Sequence, residues 1–153
     1  MPRWGAFLLM LPLLAACGGA VVVNQEDDGS AYDPGMAVTV DEVRAFASTL
    51  PRAYEAFVRG RIKFRVKQIV FVSFSKDGTT MGCGFPRDWR AAAVESEPEK
   101  FAFPSESDMR FQWIHVRLDA IDADEMRDLV EDAWALCVPK YVAAEYAAAR
   151  GYR

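Results

Sequence analysis

Five basic residues recur at every second position between residues 59 and 67, a spacing that could bring them into contact with phosphate groups. They are Arg59, Arg61, Lys63, Arg65 and Lys67. Apolar side chains (Ile62, Phe64 and Val66) lie between the last four. Because side chains alternate between the two faces of a strand, this pattern predicts a strand with one positive face and one apolar face. Alternate residues lie roughly 7 Å apart, close to the phosphate spacing along one DNA strand.

Two further arginines could extend this positive surface. Arg87 and Arg90 follow Pro86, which favours the first turn of a helix, and helix N-termini favour phosphate. Two other interpretations of the basic strand stay open. Its charges could mark an edge strand that resists pairing with other sheets, or they could pair with an acidic helix near the C-terminus.

Aromatic and basic side chains also alternate along a later predicted strand. Phe111, Trp113, His115 and Arg117 share one face of it, and on an open face such groups could stack on the bases of a single strand. Large apolar patches rarely stay exposed, so we interpret this stripe as core beneath the terminal helix.

The residues do not form a recognisable catalytic or metal-binding pattern. His115 is the only histidine, and Asp119 is too far along the strand to orient it as a general base. Cys83 and Cys137 form no C-x-x-C pair, so we interpret them as buried free thiols. The sequence predicts no catalytic residue, no cofactor and no metal site, and therefore no enzyme.

Composition fits one domain with an ordinary core. The chain has 153 residues, 52% of them hydrophobic, and a net charge of −4. From Met36 onward the sequence has 17 basic and 18 acidic residues, which gives a net charge of −1. Such a balance gives no general attraction to nucleic acid, so any DNA binding must come from a local patch.

The first half of the domain is predicted to be a helix followed by three strands. A capping box of Thr39 and Glu42 opens the helix, which runs over 40–50. Residues 54–58 are predicted to be a short helical turn. The strands then cover 61–67, 68–75 and 79–85, with an Asp-Gly hairpin signal between the last two.

The second half alternates helices and strands. Its predicted elements are a helix after Pro86, strands over 101–103 and 109–118, a helix over 122–137 and a final helix over 140–150. Asp122 and Glu125 are typical of a capping box at the start of the helix over 122–137. We expect Trp89, Ala92 and Ala93 to be buried in the first of these helices, with Arg87 and Arg90 outside. The order predicts an α+β domain with a mainly antiparallel, five-stranded sheet and helices packed on it.

Residues 1–35 predict a leader. The segment from Met1 to Cys17 is typical of a lipoprotein signal, in which Cys17 would carry the lipid, and an acidic tether follows it. Alternatively, translation begins at Met36 and the upstream segment is not part of the protein. We expect a domain over 36–153 and a cytoplasmic location, with lipid anchoring to the cell envelope as the alternative.

Three stretches of the domain resemble the MmcQ/YjbR-like family. They are the strand pair at 64–66 and 69–71, the FPRDW segment at 85–89, and WIHVRL at 113–118 with the helix at 129–134. The resemblance, over about residues 40–146, implies an antiparallel sheet with helices on one side. It also implies a cytoplasmic bacterial protein with a DNA-binding label and no catalytic residues.

Together these features predict a non-enzymatic bacterial protein that binds DNA weakly, mainly through phosphates. The predicted contacts are Arg59, Arg61, Lys63, Arg65, Lys67, Arg87 and Arg90. The alternative is a protein-interaction module or homodimer that uses the basic strand and the acidic helix. A lipid-anchored envelope protein would meet a membrane only through Cys17.

Overall fold

A computed structural model describes residues 37–151, which form four α-helices and six strands. The elements are α1 (Val40–Ala47), β1 (Ala53–Val58), β2 (Arg61–Val66), β3 (Ile69–Phe74), β4 (Thr80–Gly84), α2 (Arg87–Ser96), β5 (Phe101–Ala102), β6 (Trp113–Arg117), α3 (Ala123–Ala135) and α4 (Lys140–Ala149). Short 3-10 turns at Glu106–Asp108 and Leu118–Ala120 flank β6. The predicted leader and Cys17 lie outside the described residues.

All six strands belong to one antiparallel sheet with the order β1-β2-β3-β4-β6-β5. The predicted α+β class is therefore confirmed, but the sheet has six strands instead of five. The extra strand is β1, because residues 54–58 are extended and not a helical turn. The β1–β2 hairpin closes through Arg59 and Gly60, whose φ angles of 53° and 74° are those of a two-residue hairpin turn.

The core lies on one face of the sheet. Phe64, Val72, Cys83 and Ile114 stand in register across four neighbouring strands and are fully buried. Helix α3 packs against β3 and β4, and α1 packs against α3. The indole Nε1 of Trp134 also donates a 2.8 Å hydrogen bond to the carbonyl of Pro51.

Two predicted helix starts are confirmed in detail. At α1, the Glu42 N–H donates to Thr39 Oγ1 and the Thr39 N–H donates to Glu42 Oε2. At α3, Asp122 and Glu125 form the same reciprocal pair. Each box satisfies backbone N–H groups that the first helical turn leaves without partners.

Helix α2 exposes Arg87 as predicted but departs from the prediction at Trp89, Arg90 and Ala92. Arg90 is only 6% exposed, whereas Trp89 is 41% exposed and Ala92 is also exposed. The prediction that Arg90 lies outside is therefore wrong. Its guanidinium group donates hydrogen bonds to three backbone carbonyls just before and at the start of β6, as described below.

None of the helices between residues 37 and 151 is long and apolar enough to span a membrane.

Candidate nucleic-acid interface

The second face of the sheet carries polar and aromatic side chains. We call this the open sheet face; its members are Arg61, Lys63, Arg65, Ser73, Gly82, Trp113 and His115. Register places four of them in one row, because Lys63 pairs with Ser73, Ser73 with Gly82 and Gly82 with His115. Neighbouring strands are about 4.8 Å apart, so this row is about 14 Å long.

A groove of about 640 Å³ runs over this face and extends beyond it to Leu136 and Cys137, which follow α3. Its floor includes Lys63, Ser73, Gly82 and His115, and Arg61 lies at its β2 side. We call residues 108–112 the groove wall, since Asp108, Phe111 and Gln112 of this segment line it. The volume falls within the range of small-ligand sites in proteins.

The groove contains an indole ring that lies against a glycine. A β-carbon built on Gly82 would come within 2.6 to 2.9 Å of Nε1, Cζ2 and Cε2 of the Trp113 side chain. Real β-carbons do not approach other atoms so closely, so any side chain at position 82 would displace the ring. Gly82 therefore determines where the aromatic surface of Trp113 lies.

Arg90 holds the groove wall in place. Its Nη1 donates to the carbonyls of Phe111 and Trp113 at 3.1 and 3.0 Å, and its Nη2 donates to the carbonyl of Met109 at 3.0 Å. A guanidinium group offers five N–H donors in one plane and can bind several carbonyls at once. Arg90 thus acts through the backbone, as a positioning residue for the wall and for the start of β6.

The wall carries an exposed aromatic ring next to a positive charge. Phe111 is 51% exposed, and the Arg110 guanidinium carbon lies 4.7 Å from the centre of its ring. This geometry is that of a cation–π contact. It brings a further cation close to the groove.

The imidazole of His115 is half-buried in the groove. Burial is the main cause that lowers its pKa from the ordinary value of 6.5. The positive charge of Arg61 lowers the pKa further, while the carboxylate of Asp108 opposes both effects. The ring is therefore mainly neutral at pH 7, when it can both donate and accept a hydrogen bond.

Within residues 37–151, Cys83 and Cys137 are free thiols; Cys83 is buried, as expected, and Cys137 is partly buried. Burial raises the pKa of Cys83 to about 12 and that of Cys137 to about 11. Thiolate is the nucleophilic form of cysteine, so neither residue is activated at neutral pH.

The predicted basic face is only partly formed. Arg61, Lys63 and Arg65 share one side of β2, and the first two line the groove. Arg59 and Lys67 lie outside β2, in hairpin turns with φ angles of 53° and 54°, so the strand alternation does not extend to them. Other predicted contacts lie on α2, where Arg87 is exposed at the first residue and Arg90 is buried, so Arg90 is not a surface contact.

Both non-binding interpretations of the basic strand are wrong. It is not an edge strand, because β1 pairs along its full length. It also does not pair with the acidic helix. Among residues 37–151, none of the three β2 cations forms a salt bridge, while Glu125 and Glu131 of α3 pair with Lys100 and Arg150. Arg65 Nε is buried and lacks a hydrogen-bond partner within the described part of the chain.

The interpretation of the aromatic stripe as core is also wrong. Trp113 and His115 are half-exposed on the open sheet face, while Ile114 and Val116 supply the core. Sequence reasoning did not identify Ser73, Asp108, Arg110 or Gln112 as residues near the groove. For Ser73 a signal was available, because it is the polar residue inside an otherwise apolar strand. The other three depend on the path of the β5–β6 connection, which has no periodic pattern.

A family model shows the family of this chain, and a solved structure supports its fold. The profile of a family described as YjbR matches residues 48–136. A crystal structure of the Deinococcus radiodurans protein DR2400, which has a DUF419 domain, superposes with a TM-score of 0.60 at 19% sequence identity. The superposition covers 71% of this chain and 88% of that chain. At this identity the likeness shows the fold alone. No curated protein matches the chain.

Proposed function

This chain belongs to the YjbR family, and from that premise we propose that it is a non-enzymatic bacterial protein that binds DNA through the open sheet face. The observation that carries the proposal is the set of three cations along one side of β2. Arg61, Lys63 and Arg65 point to one side, and no carboxylate among residues 37–151 forms a salt bridge with them. Unpaired cations next to a groove are complementary to a phosphate backbone.

Arg61 and Lys63 would supply most of the affinity. Arg61 is exposed, Lys63 is half-exposed, and both line the groove. Arg65 would add a contact through its guanidinium tip, while Arg59 and Lys67 in the flanking turns and Arg87 on α2 would play secondary parts. Contacts with phosphates carry no direct sequence information, so we expect little sequence preference.

The test is fluorescence anisotropy of the 153-residue chain with labelled DNA, single-stranded and duplex, at several salt concentrations. Three phosphate contacts to a single strand imply a slope of about −2 for the logarithm of the binding constant against that of salt. This corresponds to about twentyfold weaker binding when salt rises from roughly 50 to 200 mM. An absence of binding at low salt would refute the proposal.

The matched variants separate local contacts from net charge. Arg61→Glu/Lys63→Glu should abolish binding and leave Arg65, whose Nε is buried, undisturbed. Arg127→Glu/Lys140→Glu changes the net charge equally, but on exposed positions of α3 and α4. If both double variants weaken binding to the same extent, only net charge matters and the open sheet face is not the site.

A cytoplasmic location is part of the proposal, because bacterial DNA is there. Lipid anchoring through Cys17 is the competing location. Cell fractionation together with mass spectrometry of the mature N-terminus tests it. A lipid on Cys17 and recovery in the membrane fraction would exclude the DNA-binding role in the cell.

A second candidate is a homodimer formed through the outer edge of β1. Phe57 on this strand is 75% exposed and Tyr54 is also exposed, and Glu55 is the only charged residue within the strand. Exposed edge strands with so little charge tend to pair with another strand. Light scattering of the chain and of Phe57→Ser would test it; a monomeric mass for the wild type at high concentration would exclude the dimer.

A further inference from the structure

The groove contains more than a phosphate-binding surface needs. Two aromatic rings, Trp113 and Phe111, line it together with the uncharged polar groups of Ser73 and Gln112. Phosphate contacts require cations and N–H groups, but no aromatic rings. The lining therefore fits a ligand that carries both negative charge and a flat apolar surface.

We infer that the groove binds an unpaired nucleobase, so that the protein prefers single-stranded over duplex nucleic acid; this inference rests on the proposed DNA-binding function. In a duplex the bases are stacked inside the helix and reach a groove only after extrusion from the stack. In a single strand the faces of the bases are free to stack on aromatic side chains.

The positions of the groups support this assignment. Arg61 and Lys63 of β2 lie on one side of the groove, and Phe111 and Trp113 lie on the other, with Ser73 and Gly82 between them. A strand whose phosphates follow β2 can thus direct a base across the floor to the rings. Because Gly82 has no side chain, the Trp113 indole can lie directly against the floor of the groove.

His115 and Gln112 would contact the edge of the base. A neutral imidazole offers one donor and one acceptor, and a carboxamide offers both as well. Such pairs can satisfy the hydrogen-bonding groups of any base, so they add affinity with only modest base preference. The carboxylate of Asp108 at the groove wall repels a second phosphate at that end of the groove. This repulsion favours an uncharged base there.

The experiment compares three labelled ligands of equal length with the full chain at low salt. They are an oligothymidine, an abasic single strand with the same phosphates, and a duplex. Stacking of one base on an aromatic ring strengthens binding roughly fivefold to over a hundredfold. We therefore expect the oligothymidine to bind at least about fivefold more tightly than the abasic strand.

Variants in the wall assign the effect to the groove. Phe111→Ala should reduce the affinity for oligothymidine and leave the affinity for the abasic strand unchanged. Phe103→Ala is the matched control, because Phe103 is a similarly exposed ring in the same β5–β6 connection but does not line the groove. Oligothymidine should also quench tryptophan fluorescence in the wild type but not in Trp113→Phe.

The outcomes separate this inference from the proposed function. Equal, salt-sensitive binding of all three ligands would refute base stacking and leave DNA binding intact. Tighter binding of the duplex would do the same. A preference for oligothymidine that Phe111→Ala leaves unchanged, together with quenching that persists in Trp113→Phe, would mean that bases bind elsewhere, which also refutes the inference. If none of the three ligands binds, the proposed DNA-binding function is refuted, and the inference that rests on it is refuted as well.

Discussion

Replacement of Arg90 by methionine should destabilise the protein strongly, although most arginines lie on the surface. The change keeps most of the apolar volume and removes the three hydrogen bonds to the carbonyls of Met109, Phe111 and Trp113. Each hydrogen bond to a charged group contributes about 1.5 to 3 kcal/mol net. Their sum is an upper bound, since methionine avoids the desolvation of the guanidinium and water can reach carbonyls of the exposed wall.

We therefore expect Arg90→Met to lower the free energy of unfolding by about 3 kcal/mol, a large share of the 5 to 15 kcal/mol typical of a domain. For a domain of this size the melting temperature should fall by about 10 °C. Arg90→Lys should lose about 2 kcal/mol, because one ammonium group cannot reach three separate carbonyls in the same way.

The assay is urea unfolding followed by far-ultraviolet circular dichroism, with thermal melts in parallel. Arg87→Met is the matched control, because Arg87 is exposed in the same helix and should change stability by less than about 0.5 kcal/mol. If Arg90→Met loses less than about 1 kcal/mol, or no more than Arg87→Met, the three bonds do not hold the groove wall and the reasoning fails.

Two further predictions concern the floor of the groove. Gly82→Ala should displace the indole of Trp113, destabilise the protein by about 1 to 3 kcal/mol and change its tryptophan fluorescence. Gly84→Ala should do neither, because its added carbon would meet its neighbours at 3.5 Å, an ordinary contact distance; similar melts for both variants would contradict the packing argument. Burial lowers the pKa of His115 in the folded protein, so the unfolded state binds a proton first as the pH drops. Stability should therefore fall from about pH 6.5 down to the pKa of His115 in the folded protein. His115→Gln should show a flatter dependence in urea unfolding between about pH 7 and 5; identical slopes would mean that burial does not restrain protonation of the ring.

Several features were predictable from the sequence because they depend on neighbours along the chain. Alternation along β2 predicted that Arg61, Lys63 and Arg65 share a face, since pleating is a property of any strand. The capping boxes at Thr39 and Asp122 were also predictable, because both partners lie within one helical turn.

Errors arose where the outcome depends on residues far apart in the chain. The hairpin turn at Arg59-Gly60 places β1 beside β2, which turns a supposed edge strand into an inner one. Arg90 was assigned to the surface because an arginine is costly to bury. Its three carbonyl acceptors lie 19 to 23 residues further along the chain, and no local pattern reveals them.

The sequence by itself determined which residues share a face of β2 and of β6, and where α1 and α3 start, because strand pleating and helix capping act over a few residues. Only the tertiary structure decided that the faces with Lys63 and His115 are the same face, since this depends on the pairing of β2, β3, β4 and β6. Strand pairing is long-range, and a shift of one residue would move His115 to the core. The groove exists because this register brings the cations and the aromatic rings to one side.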